Sequence, residues 1–325
     1  MGIFEQFGLS VYRTVRGRGA YICETNQGIK LLRETTCKEE KYAKEDYITS
    51  KLTENGFHTV DIFERTVNGN LLAEDEDKKK YYLKKWFDAG ECDVKNYNDV
   101  LNACGGIARA HVCLNKFRLE PESLSFQIPA SVNLKEKYEK KIKEMRSVSN
   151  YLRKKKGKSD FERMAFEKMD VFLKEALNTM EYLEQSDYMP VYEQAMKTGT
   201  LSHGSCNHHN ILNGKGYVAV VNFERANINV QIVDLYDFMR KILEKYNWDI
   251  KLAYRMMDEY NRVKTITDED LIVLSLLFSF PEKYFKIMDH YFNSSKAWIP
   301  DKDIEKLNVV VKQNEARLRF VESLK

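Results

Sequence analysis

The densest group of reactive side chains lies in residues 201–240, LSHGSCNHHNILNGKGYVAVVNFERANINVQIVDLYDFMR. His203, Cys206, His208 and His209 sit close together there. Imidazole nitrogen and thiolate sulfur are donors that zinc accepts. Neighbours such as His208 and His209 in a loop point in different directions, however, so the spacing predicts no metal. Among the other polar groups of the segment are a hydroxyl, two amides and two carboxylates at informative places: Ser205, Asn210, Asn222, Glu224 and Asp234.

Their order is the more informative signal. His203-Gly204 is followed by Asn210, then by the turn Asn213-Gly214-Lys215-Gly216, an apolar run ending in Asn222-Phe223-Glu224, and Asp234-Leu235. A lone His-Gly pair would carry nothing. The whole series resembles the catalytic segment of the aminoglycoside phosphotransferase and choline kinase group, which reads HGD, four residues, Asn, a hairpin, and an acidic residue at the end of the strand. A later Asp in that group buttresses the loop, the place taken here by Asp234.

That resemblance implies phosphoryl transfer, which needs a carboxylate to orient the attacking hydroxyl and Mg²⁺ held by an Asn and an Asp. Ser205 stands at the base position, and a hydroxyl is a poor proton acceptor at neutral pH. Asn222 stands at the metal-binding Asp position, so a second anion is replaced by a neutral group. Asn210 remains, with a single amide oxygen for a hard cation that prefers carboxylates. Glu224 is a substitute ligand by strand alternation, which puts it on the face of Asn222. His203 takes the part of the loop-structuring histidine.

Counting from the turn glycine Gly28, the phosphate-gripping Lys of the third strand falls on Arg33, whose planar fork is no simple replacement for an ammonium. Its acidic partner on the following helix would be Glu45, with Glu40 and Glu39 as alternatives. Arg16-Gly17-Arg18-Gly19 is a weak phosphate-loop candidate, equally an ordinary turn. A nucleotide, if bound, would meet Arg33, Glu45, Asn210 and Asn222. Loss of one key electrostatic group costs about 10²–10³ in rate. With three altered, the expectation is a chain without catalysis, metal or cofactor; ATP and Mg²⁺ enter only if it is a phosphotransferase with an unusual site.

The elements that must hold these residues can be read from periodicity. Ser10–Arg16, Ala20–Thr25 and Ile29–Glu34 read as strands, the last two joined by Asn26-Gln27-Gly28. A charged helix over Lys38–Asn55 closes at Gly56. Further strands follow at Asp61–Thr66, Leu71–Glu74 and Tyr81–Trp86. From Gly90 the pattern turns helical, with apolar faces on Val100–Phe117, Phe161–Leu183 and Ile232–Tyr246 and helical stretches at 249–262, 268–280, 282–292 and 301–324. One hairpin, Ile211–Asn213 with Tyr217–Phe223, interrupts them. The predicted fold is α+β and protein-kinase-like in two lobes: a β-rich lobe with one main helix over residues 1–88 and a helical lobe over 89–325.

Composition narrows the class without naming a function. A hydrophobic fraction of 43% with 31% charged residues belongs to a folded chain, and a net charge of +3 gives no case for nucleic acid. Neither a signal-peptide run nor a stretch of about 20 apolar residues is present, which predicts synthesis in the cytoplasm and no transmembrane segment. The six cysteines lack CxxC spacing and read as buried thiols. Lys135–Lys158 carries a net +8 while the rest of the chain sums to −5. Such a run is first of all a solvated helix and loop, and beyond that a docking patch for an acidic partner.

Tyr82-Leu83-Lys84-Lys85-Trp86, Gly204–Leu212 (GSCNHHNIL), Val221–Arg225 (VNFER) and Gln231–Glu244 (QIVDLYDFMRKILE) resemble the CotS-type spore-coat proteins of endospore-forming bacteria. The resemblance implies a protein made in the mother-cell cytoplasm and deposited in the spore coat among other coat proteins. There a kinase-like fold would serve as a structural, scaffolding pseudokinase. That family often keeps an acidic residue after the His-Gly pair, and Ser205 departs from it.

Overall fold

Strong β-formers punctuated by glycine turns build the first sheet. The structure, a computed structural model, describes residues 2–17, 19–117, 126–293 and 301–324; Arg18 of the glycine turn lies outside them. The strands of this sheet are β1 (Val11–Gly17), β2 (Ala20–Thr25), β3 (Gly28–Thr35), β4 (Leu72–Glu74) and β5 (Lys80–Lys85), in the antiparallel order β1-β2-β3-β5-β4. Three short strands, β6 (Ala89–Glu91), β8 (Ile211–Gly214) and β9 (Tyr217–Val220), form a second sheet. A third pairs β7 (Leu201–Ser202) with β10 (Asn227–Ile228).

The helices are α1 (Ile3–Gln6), α2 (Ala43–Glu54), α3 (Tyr97–Leu114), α4 (Leu134–Lys154), α5 (Asp160–Gln185), α6 (Tyr188–Thr198), α7 (Ile232–Leu243), α8 (Ile250–Asn261), α9 (Asp268–Ser279), α10 (Glu282–Asn293) and α11 (Asp301–Ser323). α2 starts later than Lys38, because residues 39–41 form a separate 3₁₀ turn. Gly56 follows its end at φ +92°, the conformation a side chain resists and glycine accepts.

Asp61–Thr66 does not form the predicted strand. The segment runs along β5 with one bridge, Phe63 to Lys84, and two further backbone hydrogen bonds, from Glu64 N–H to Leu83 and from Lys85 N–H to Ile62. Asp61 is turned inward, where its carboxylate accepts from Lys84 and from the backbone of Asn222. A second correction concerns the hairpin: its outgoing strand ends at Val220 rather than Phe223. Asn222 takes the left-handed conformation (φ 66°, ψ 64°), and Phe223–Arg225 continue as a 3₁₀ turn.

The chain divides into two compact units. The first comprises residues 1–130, 198–238 and 255–265, the second residues 131–197, 239–254 and 266–325. The division read from the sequence after residue 88 falls inside the first unit, since β6 pairs with β8 and α2 packs on the segment after β9. One core of this unit gathers Ile48 and Leu52 of α2, Ala110 and Leu114 of α3, Val220 at the end of the hairpin and Phe223 beyond it. Another joins Leu31, Tyr82 and Trp86 of the first sheet to Leu212 and Ala219 of the second. Such burial, at about 25 cal/mol per Å² of apolar surface, holds the loop after β7 in place.

In the second unit α4 and α5 lie against each other, and the rings of Tyr138 and Phe280 and of Phe172 and Tyr284 stack at 3.9 and 4.0 Å. The basic run thus falls on α4 and the following turn, with several of its charges paired: Lys135 to Glu184, Lys141 to Glu282 and Lys155 to Glu162. Cys23, Cys92, Cys104, Cys113 and Cys206 are buried thiols and Cys37 is half-buried.

Candidate active site

Asp234 organises the site. It sits in the first turn of α7, buried, with one oxygen accepting from the backbone N–H of His203 at 2.6 Å and the other from Gly204 N–H at 2.9 Å. His111 of α3 adds its Nε2 at 3.0 Å, and its Nδ1 lies 2.7 Å from the Tyr260 hydroxyl. Burial works to raise the Asp234 pKa, and the contacts with His111 and His203 outweigh it, so the carboxyl stays below its ordinary value. A buried carboxylate accepting several hydrogen bonds fixes the loop that follows.

His203 is fully enclosed, with Nε2 2.9 Å from the Val221 carbonyl and Nδ1 accepting from the Ser205 N–H at 3.1 Å. Those roles fit a neutral ring with its proton on Nε2. Burial pushes its pKa below the usual histidine value. Gly204 has φ +73°, and a Cβ there would lie 2.1 Å from the Arg225 carbonyl oxygen. Only glycine fits.

Asn210 and Asn222 meet directly. The Asn222 amide donates to Asn210 Oδ1 at 2.8 Å, and the Asn210 amide donates to the Ser205 carbonyl at 3.0 Å. Ser205 Oγ lies 3.4 Å from the Asn207 amide. Glu224, by contrast, leaves this group: the 3₁₀ turn carries it to the surface, where it pairs with Lys41 at 3.4 Å. The shared strand face read from alternation fails because the strand has ended before Asn222.

The cation beside Glu45 is not the one the third-strand count selects. Glu45 of α2 accepts from Lys84 Nζ at 2.7 Å, and Asp61 accepts from the same ammonium at 3.0 Å, all three buried. Sheet register explains the exchange: Leu31 of β3 is opposite Lys84 of β5 and Arg33 is opposite Tyr82, so both cations stand on one face and Lys84 is taken by α2. Burial favours the neutral amine, yet Asp61 and Glu45 more than offset it and hold Lys84 protonated above the ordinary lysine range. Its Nζ also lies 4.4 Å from the Phe63 ring centre. Glu39 instead accepts from the Leu71 N–H. Asp61 was missed in the sequence, where nothing marks it; its other oxygen accepts from the Asn222 N–H at 3.0 Å and so ties the triad to the amide pair.

A cavity of about 400 Å³ is lined by Val15, Ile22 and Ile29 of the first sheet, by Trp86 and Ala89, and by Asn213 of β8. Tyr217 on the hairpin donates to the Asp88 carbonyl at 3.0 Å.

The reading of divergent histidines is overturned. The rings of His208 and His209 lie 3.9 Å apart, because the Asn207 side chain accepts from the His209 N–H and folds the turn. Both rings face Glu91 of β6, a residue the sequence did not single out, while His203 and Cys206 are buried.

The family model described as "Spore coat putative kinase YutH" matches residues 1–324. Among solved structures, an aminoglycoside phosphotransferase from Alicyclobacillus acidocaldarius is similar at a TM-score of 0.85 and 17% identity, over 99% of this chain and 94% of that one. Spectinomycin phosphotransferase is similar at 0.62 and 10% identity, over 95% and 94%. The amicoumacin kinase hAmiN matches at 0.57 and 13%, over 97% and 89%. The fold is that of the aminoglycoside phosphotransferases, a small antiparallel sheet with a larger helical part. No helix among the described residues is long and apolar enough to cross a membrane.

Proposed function

The chain belongs to the YutH spore coat kinase family, and on that premise we propose that it is a non-catalytic, kinase-like structural component of the bacterial spore coat. The observation that carries this reading is the 2.8 Å hydrogen bond between Asn222 Nδ2 and Asn210 Oδ1. At the two positions that would bind metal, amide oxygen and amide hydrogen satisfy one another where carboxylate oxygen would meet a dication. Mg²⁺ demands near-octahedral oxygen ligation and gives up water reluctantly, so displacing this pair for neutral ligands is unfavourable. Ser205 supplies no charge to accept a proton. The Lys84 ammonium is already shared by two carboxylates and has little left for a phosphate.

Protein and nucleotide together decide the matter. We expect no change in melting temperature on adding ATP with Mg²⁺ and no phosphate release, because a ligand at 100 times its Kd would stabilise the fold by about 2.7 kcal/mol. The cavity lined by Trp86 and Ala89 supports a second reading, an ATP- and Mg²⁺-dependent small-molecule phosphotransferase. That reading predicts a metal-dependent shift that Asn210→Ala abolishes, together with turnover. A shift without turnover would mark a nucleotide-holding pseudokinase.

In the scaffold reading the chain, made in the mother-cell cytoplasm, contacts other coat proteins. An acidic one would suit Lys135–Lys158, where Lys137, Lys140 and Lys286 border a groove between α4 and α10. Charge reversal there is expected to abolish salt-sensitive capture.

A further inference from the structure

We propose that Glu91, His208 and His209 form a binding site for a divalent transition metal, Zn²⁺ in the first instance, that staples β6 to the loop after β7. One donor atom from each residue lies within 4.8 Å of the other two. Metal–nitrogen and metal–oxygen bonds of about 2.0–2.2 Å place neighbouring ligands of a tetrahedral ion about 3.3–3.6 Å apart. A small rotamer adjustment therefore closes the triad around an ion. His209 Nδ1 already hydrogen-bonds Glu91 Oε2, and the cation would take the place of the shared proton.

Two independent backbone devices bring the donors together. Antiparallel pairing sets Glu91 opposite Leu212, and Cys92 N–H continues the ladder to the Ile211 carbonyl at 2.9 Å. The turn is closed from its own side, with His209 N–H bonded to Asn207 Oδ1 and Asn210 N–H to the Asn207 carbonyl, both at 2.9 Å. The carboxylate and the imidazoles thus come from segments over a hundred residues apart, each fixed without the metal.

Two imidazoles and one carboxylate suit zinc, nickel or copper, whereas Mg²⁺ prefers oxygen alone. Three protein ligands leave a position open to water or to a donor from another molecule. The site is partly exposed, His209 at 63% and Glu91 at 35%, so exchange with solvent metal is unobstructed.

The test is equilibrium binding of Zn²⁺ to the full, tag-free chain near neutral pH, with Co²⁺ absorption as a report on coordination. One Zn²⁺ per chain should bind and raise the melting temperature. His209→Ala and Glu91→Gln should each weaken binding at least tenfold and remove the shift. His58→Ala, an exposed histidine elsewhere, should leave both unchanged, and millimolar Mg²⁺ should not compete. Variant melting temperatures in chelator should match the parent's, which separates lost binding from lost folding. Absence of stoichiometric binding, or undiminished binding by His209→Ala and Glu91→Gln, would overturn the proposal.

Discussion

Lys84 Nζ stands 2.7 Å from Glu45 Oε1 in a place where neither is reached by solvent, and the ammonium also holds Asp61 at 3.0 Å. A buried cation between two buried anions is tolerated because each desolvation cost is offset by its partners. Lys84→Ala should therefore destabilise the fold by about 3–5 kcal/mol, as it strands two carboxylates. Glu45→Gln, which keeps an acceptor and leaves Asp61 as counter-ion, should cost about 1–2 kcal/mol. Urea unfolding of the pair measures the difference, and equal losses would contradict the shared-ammonium account.

The amide contact between Asn210 and Asn222 makes its own prediction. In Ser205→Asp/Asn222→Asp, carboxylate replaces the amide that donates to Asn210, on a residue whose backbone N–H is held by Asp61. Without metal the double variant should melt lower than the parent, by an amount corresponding to about 1–3 kcal/mol for the broken contact. Mg²⁺ should then stabilise the variant and leave the parent unchanged. A parent stabilised equally by Mg²⁺ would remove the ground for calling the metal positions closed.

His203 sets a pH dependence. Its folded pKa is depressed below the ordinary value of about 6.5, so on acidification the unfolded chain takes up the proton first. Stability should fall as pH drops below about 6.5, with a slope approaching 1.4 kcal/mol per pH unit from this group. The neighbouring Asp234 has its folded pKa lowered, and its contribution is lost only in more acidic solution, near and below pH 4. Denaturation curves between pH 5 and 7 should thus be steeper for the parent than for His203→Gln. Identical pH profiles would show that the ring is not kept neutral by burial.

Two glycines with positive φ should behave differently. Gly204→Ala drives a Cβ against the Arg225 carbonyl and the Asn227 amide, at 2.1 and 2.5 Å, and should cost upwards of about 3 kcal/mol. Gly216→Ala, at φ +82° with nothing within 4 Å, meets only the backbone penalty of about 1 kcal/mol. Thermal melts distinguish them.

Features set by local order were legible in the sequence. The strands at 20–25 and 29–34 and the series from His203 to Asp234 depend on alternation, turn glycines and short spacing, and they stand in the structure with small changes at their ends. The partner of Glu45 depends on β3–β5 register, which no count from Gly28 reveals. His111 reaches Asp234 across 123 residues, and Glu91 reaches His209 across 118; neither has a local pattern to announce it. The end of the hairpin strand was hidden for another reason. The run up to Val221 is apolar and rich in valine, and the long-range bond from the Asn222 N–H to Asp61 shows where the backbone turns left-handed.

The interleaving of the two compact units bears on how the chain reaches its fold. Each unit is assembled from three stretches, and the first is incomplete until residues 255–265 have joined residues 1–130. At the usual 5–20 residues per second, a ribosome needs roughly 7–27 s to travel from residue 130 to residue 265. For roughly the first 5–19 s of that interval, until residue 223 is made, α2 lacks Val220 and Phe223, against which its apolar face packs. A stalled or truncated product ending before residue 265 should therefore leave apolar surface uncovered and be a substrate for proteolysis.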